Sequence, residues 1–103
     1  MKIIDPSGFR PERAWGALDV ANLDGITVRL HWTDRPYRWH RNDGAEVFVV
    51  VDGEVDMHYR EGGEERVARL KAGQIFYAAE GDEHFASPVG EARVLVVERE
   101  GSV

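Results

Sequence analysis

Histidines are the residues of this chain best suited to chemistry, and two of the four, His40 and His84, stand beside turn signatures rather than inside an alternating pattern. Glu46 opens the run Glu46-Val47-Phe48-Val49-Val50-Val51. A carboxylate turned into so apolar an interior needs a cation or hydrogen-bond donors to offset its desolvation. Two neutral imidazoles and one carboxylate make a facial set of three ligands for a divalent ion, leaving positions open for water, substrate or dioxygen. Such donors suit manganese, iron, nickel or zinc, so His40, Glu46 and His84 point to a metal without choosing one. The competing reading is a hydrogen-bonded polar cluster that plugs the mouth of the fold. With no cysteine in the chain, thiolate sites and disulfides are both excluded.

The neighbours of this trio carry weaker signals. Asn42 is either a weak fourth ligand, a group that orients one of the others, or a turn residue of Asn42-Asp43-Gly44. Trp39, next to His40, is expected to wall a pocket. Tyr77 is a second candidate for the wall, although it and Phe76 are adjacent and must point to opposite faces. His58 shares a strand face with Asp56 and Arg60 and reads as solvated. His31 lies with Arg29 and Thr33 on the polar side of its strand, where a solvent-facing position is favoured over an inward one. No catalytic residue is assigned by type and spacing alone.

The elements that must position these groups are strands. Ile26 to Thr33 alternates Ile26, Val28, Leu30, Trp32 against Thr27, Arg29, His31, Thr33, and Asn22-Leu23-Asp24-Gly25 before it is a turn that pairs it with Ala17 to Ala21. Glu54 to Arg60 alternates again and returns through Glu61-Gly62-Gly63-Glu64 to Arg66–Leu70. Further strands are expected at 46–51, 74–78, 84–87 and 93–99, separated by turns at Asp52-Gly53, Lys71-Ala72-Gly73, Glu80-Gly81-Asp82 and Pro88-Val89-Gly90. Pro11 to Trp15 is the one place where a short helical turn is expected. The sum is an all-β barrel or sandwich of short antiparallel strands in a single domain, with 103 residues enough for one modest core. Val47–Val51 is apolar on both faces, so something must cover the outer one, either the N-terminal segment or a second copy of the chain in a homodimer.

The segment from Trp39 to Gly53 resembles the first motif of the cupin family, with His40 at the first histidine position, Glu46 at the glutamate and Gly53 at the glycine. Gly73 to His84 resembles the second motif, with Gly73, Gly81 and His84 in place. Asn42 stands where the family has a second histidine, Ala79 where it usually has proline, and Pro88 where the second motif often ends in asparagine. The likeness covers roughly residues 26–99 and is greatest to the small mannose-6-phosphate-isomerase-like cupins. It implies one cupin domain over 1–103, a double-stranded β-helix or jelly-roll barrel at 26–99 preceded by N-terminal strands or an arm at 1–25, with a divalent metal on His40, Glu46 and His84.

A net charge of −6 disfavours nucleic acid and anionic membrane surfaces as partners. The first residues lack the apolar stretch of a signal peptide, so a cytoplasmic location is expected. Three functional readings follow from the resemblance. One is a metal-dependent enzyme with isomerase-like or dioxygenase-like chemistry on a small oxygen-rich metabolite. Another is a non-catalytic, metal-free module that binds a small molecule or sugar. A third, ranked below these, is a metal-free epimerase-like enzyme with His84 or His40 as base and Tyr77 as acid.

Overall fold

The computed structural model describes residues 1–102 and is built almost wholly of antiparallel strands. These are β1 (Gly16–Leu23), β2 (Ile26–Thr33), β3 (His40–Arg41), β4 (Glu46–Glu61), β5 (Glu64–Lys71), β6 (Ile75–Ala78) and β7 (Glu83–Arg99). They join in the order β1-β2-β7-β4-β5, with β3 added to β7 and β6 to β4. No helix is long and apolar enough to cross a membrane among the described residues.

Both expected hairpins form. Asp24 and Gly25 take positive φ between β1 and β2, with the Gly25 amide donating to Asn22 Oδ1 at 2.8 Å. Gly62 and Gly63 do the same between β4 and β5, the twist that matches a two-residue hairpin.

Two expected turns are not chain reversals. β4 runs unbroken through Asp52-Gly53, and β7 runs unbroken through Pro88-Val89-Gly90. The two long strands stay paired along their lengths, and the register shifts between Val50 and Asp52 and between Gly53 and Val55 absorb a bend instead. Glycine is needed at that bend: Gly53 has φ +80°, and a Cβ there would lie 2.5 Å from the Glu91 carbonyl oxygen. The expected helical turn at 11–15 is also displaced, since the only helical residues described are a 3-10 turn at Pro6–Gly8, capped by Asp5. Proline at its first position suits that earlier turn.

The bend folds one sheet into two facing layers. One contains β1, β2, the last half of β7, the first half of β4, and β6; the other contains β3, the first half of β7, the second half of β4, and β5. Between them lies the core, with Phe48, Val50, Val94 and Val96 from one layer against Val55, Met57, Leu70 and Ala86 from the other. Alternation places Glu46 and Glu98 on the same inner face as Phe48 and Val96, at one open end.

Part of the outer face is covered by the N-terminal segment. Arg93, paired with Trp32 across β7 and β2, donates Nε to the Phe9 carbonyl at 2.7 Å and Nη1 to Asp52 at 2.6 Å. Arg10 lies over the Trp32 ring. Beyond this cover Leu23, Ile26, Ile75 and Tyr77 stay exposed.

Candidate metal centre

The site is assembled by joining two loops at the open end. The Asn42 amide donates to the Asp82 carbonyl and the Gly81 amide to the Asn42 carbonyl, both at 2.8 Å, while Asp82 Oδ2 accepts from the Ala79 amide. This lacing holds β3 against the start of β7, so that His40 lies opposite His84 with ring centroids 4.4 Å apart. Glu46 reaches the same point from β4, in the other layer, beside the small and fully buried Ala78. The donor atoms of His40, Glu46 and His84 all lie within 4.8 Å of one another.

The protons available to this cluster can be counted. His40 Nδ1 lies 3.0 Å from the Arg38 carbonyl, which can only accept, so the neutral ring carries its proton there and leaves Nε2 as a bare lone pair. That nitrogen is buried without a partner. His84 Nε2 is 2.9 Å from Asn42 Oδ1 and 3.2 Å from Glu46 Oε1, but only the asparagine lies along its hydrogen-bonding direction. Glu46 Oε1 therefore accepts no hydrogen bond although it is buried. Acceptors at about 2.1 Å from one ion and at right angles stand about 3.0 Å apart, close to the spacings around His84 Nε2. A cation answers the bare lone pairs of His40 Nε2 and Glu46 Oε1 at once, and His84 Nε2 adds a third when the ring proton sits on Nδ1, which is buried without a partner, so the residues fit a divalent metal with Asn42 Oδ1 as a neutral fourth donor.

Electrostatics keep His40 and Glu46 in ligand form. Burial lowers the His40 pKa, the adjacent His84 adds to this, and the Arg38 carbonyl opposes it, so the ring stays neutral near pH 7. Burial works to raise Glu46, but the His84 nitrogen and the Glu98 carboxyl outweigh it and hold it below the ordinary carboxylate range. Glu98 takes the opposite course. Burial, the carboxyl shared with Glu46 and the charge of Asp43 push it up to about 8, against the pull of Arg29. The pair behaves as two carboxyls holding one proton, with the charge on Glu46.

In front of the cluster lies a cavity of about 250 Å³, rimmed by Trp15 and Tyr37 and floored by Phe48, Ala86 and Val96. Its polar wall is made by Arg29, His31 and Glu98. His31 is thus a cavity residue rather than a solvated one, because β2 turns its polar face inward at this end. Its Nδ1 is fixed on the Trp15 carbonyl at 3.0 Å, and burial lowers its pKa. Neither expected wall residue lines the cavity. Tyr77 pairs with Val47 on the outer face and is exposed, while Phe76 takes the inner face against His84 at 5.4 Å. Trp39, adjacent to inward-facing His40, points outward to pack on Phe85, with Arg60 over its ring. His58 stacks on Phe85 in the same outer group, away from the cluster. Arg29 and Glu98 were not singled out from the sequence, yet Val94-Leu95-Val96-Val97-Glu98 signals that Glu98 continues the inward side of Val94 and Val96.

A family model described as a cupin domain matches residues 16–98. Among solved structures, a cupin-2 domain containing protein from Shewanella frigidimarina superposes with a TM-score of 0.78 at 23% identity, over 91% of this chain and 87% of that one. A Thermus thermophilus protein gives 0.75 at 22% identity, over 96% and 97% of the two chains. Hydroxypropylphosphonic acid epoxidase from S. wedmorenis, solved with fosfomycin, gives 0.63 at 17% identity, over 72% of this chain and 43% of that one. A search of curated proteins finds no match.

Proposed function

The chain belongs to the cupin domain family, and on that premise we propose that it holds a divalent metal ion on His40, Glu46 and His84, with Asn42 as an additional oxygen donor. There it acts on, or binds, a small oxygen-rich metabolite. The observation that carries this reading is the buried, unbonded Glu46 Oε1 facing the bare Nε2 of His40. When bound, such an ion polarises a carbonyl, stabilises an enediolate or activates dioxygen. The chain's own residues hold the ligands neutral or singly charged, exclude water with Phe48, Ala86 and Val96, and keep a proton on Glu98 beside the site. The fold does not choose between isomerase-like and dioxygenase-like chemistry, since one fold hosts many functions.

The alternative is a metal-free binding module, favoured by the His84 Nε2–Asn42 Oδ1 hydrogen bond, which needs no ion. Elemental mass spectrometry of protein purified without a histidine tag or chelator separates the two. About one metal ion per chain, lost in His84→Ala, is expected; no metal in either, even after reconstitution, overturns the metal reading.

We propose further that the chain works as a homodimer. Ile75 and Tyr77 on β6 adjoin Val47 and Val49, continuing an outer apolar face through Val97 and Val28 to Ile26 and Leu23. Light scattering at micromolar concentration should report the mass of two chains, and the mass of one sinks this proposal.

A further inference from the structure

Among the described residues, Arg29 is the one arginine or lysine lining the cavity. It stands on the inner face of β2, across from Val96 of β7 and Asp19 of β1. Its Nε donates to Asp19 Oδ1 at 2.8 Å. That carboxylate is largely in solvent, so it anchors the guanidinium from outside the cavity. Among the described residues no further hydrogen bond takes up the two terminal amino groups. A guanidinium fixed at Nε, with both terminal nitrogens free, presents the fork that matches a carboxylate bidentately.

Two features narrow the ligand. The 250 Å³ of the cavity falls just below the roughly 300–1,000 Å³ of sites for drug-sized ligands, which suits a molecule of few carbons. Glu46 and Glu98 stand beside the same space, and one arginine against two carboxyls suits a monoanion better than a phosphate monoester, which carries close to two charges at neutral pH. Arg29 and Glu46 lie two strand spacings apart and two residues out of level, about 12 Å between backbones, and their side chains close part of that gap from either side.

We propose that the ligand is a small 2-oxo or 2-hydroxy carboxylate, its carboxylate held by Arg29 and its neighbouring oxygen turned toward His40, Glu46 and His84. The orientation of that second oxygen rests on the metal reading; the carboxylate contact with Arg29 does not. His31 and Glu98 then lie along the flank of the ligand between its two ends.

Calorimetric titration of pyruvate, glycolate and lactate into the tag-free protein tests this, with and without Mn²⁺ and with pyruvamide as the uncharged counterpart of pyruvate. At least one acid should bind. Pyruvamide should bind at least tenfold more weakly than pyruvate wherever pyruvate binds. Arg29→Gln should weaken the acids ten- to a hundredfold and leave pyruvamide unchanged, while Arg29→Lys keeps part of the affinity. Melting curves confirm that each variant is folded, and Arg29→Lys carries the test if Arg29→Gln is not. Failure of all three acids to bind wild type, equal binding of acid and amide, or indifference to Arg29→Gln overturns the inference. Mn²⁺ uptake by wild type and variant alike, with any of these results, leaves the metal reading standing. Arg29-dependent acid binding without Mn²⁺ uptake sinks the metal reading and keeps the carboxylate contact.

Discussion

Replacing Glu46 by Gln separates a metal ligand from a structural plug, because the size of its effect depends on the metal. The side chain is buried, and Oε1 accepts no hydrogen bond. A buried unsatisfied acceptor costs about 1–3 kcal/mol, and more when charged. Glutamine keeps the shape and removes the charge, and the cost of the unbonded Oε1 is set against the groups that hold the carboxylate pKa down, so the metal-free variant should stay within about 1 kcal/mol of wild type. With Mn²⁺ a gap opens. At a free ion concentration one hundred times Kd, binding adds about 2.7 kcal/mol to wild type. Loss of a residue that merely orients a ligand weakens metal affinity about 10- to 100-fold, and a direct ligand matters at least as much. The variant then gains at most about 1.4 kcal/mol at tenfold weaker affinity, or about 0.4 kcal/mol at a hundredfold, so wild type leads by about 1.3–2.3 kcal/mol in the metal-dependent gain. For a domain of this length that is a difference in Tm on the order of 10 °C. Thermal unfolding followed by circular dichroism, on chelator-stripped protein with and without MnCl₂, measures both differences. A metal-free variant weaker than wild type by more than about 1 kcal/mol, together with no response of wild type to Mn²⁺, would refute the reasoning and make Glu46 a structural plug.

Other positions test the frame and the electrostatics around it. Gly53→Ala must place a Cβ 2.5 Å from the Glu91 carbonyl oxygen at φ +80°, and should cost about 2–4 kcal/mol in urea unfolding, whereas Gly44→Ala meets nothing within 4 Å and should cost under about 1 kcal/mol. Asn42→His should strengthen Mn²⁺ binding at least about tenfold by exchanging an amide oxygen for an imidazole donor, read by calorimetric titration. Glu98 has a folded pKa of about 8 against an ordinary 4.5, so the folded state keeps a proton the unfolded state has released. Its contribution is thus fully present below the unfolded value and is lost as pH rises to about 8, by on the order of 2 kcal/mol once solvent screening is allowed for. His31 and His40, both lowered, act in the opposite sense and remove stability as pH falls below the ordinary histidine value. Urea midpoints of metal-free protein between pH 5 and 9 should therefore lose their alkaline decline in Glu98→Gln; an unchanged profile would remove Glu98 from the linkage.

Much of this protein is legible in one dimension because a strand has only two faces. The alternation at 26–33 and 54–60, the glycine hairpin at 62–63, and the spacing of His40, Glu46, Gly53, Gly73, Gly81 and His84 place the strands, the family motifs and the three donors from residue types alone. Period two divides residues between faces without saying which face is inside, and that decision belongs to the register between strands distant in sequence. Pairing of Phe48 with Phe76 and of Val47 with Tyr77 sent the phenylalanine inward and the tyrosine out. Inward orientation of His40 turned Trp39 away, and β2, laid between β1 and β7, carried Arg29 and His31 into the cavity. Turn residues were equally ambiguous: Asp52-Gly53 and Pro88-Val89-Gly90 permit either a reversal or a bend, and only the continuous β4–β7 ladder selected the bend that closes the two layers. Sequence by itself determined the local conformations and the chemistry present; the tertiary structure decided which groups share one interior, since that depends on long-range pairing that no local pattern encodes.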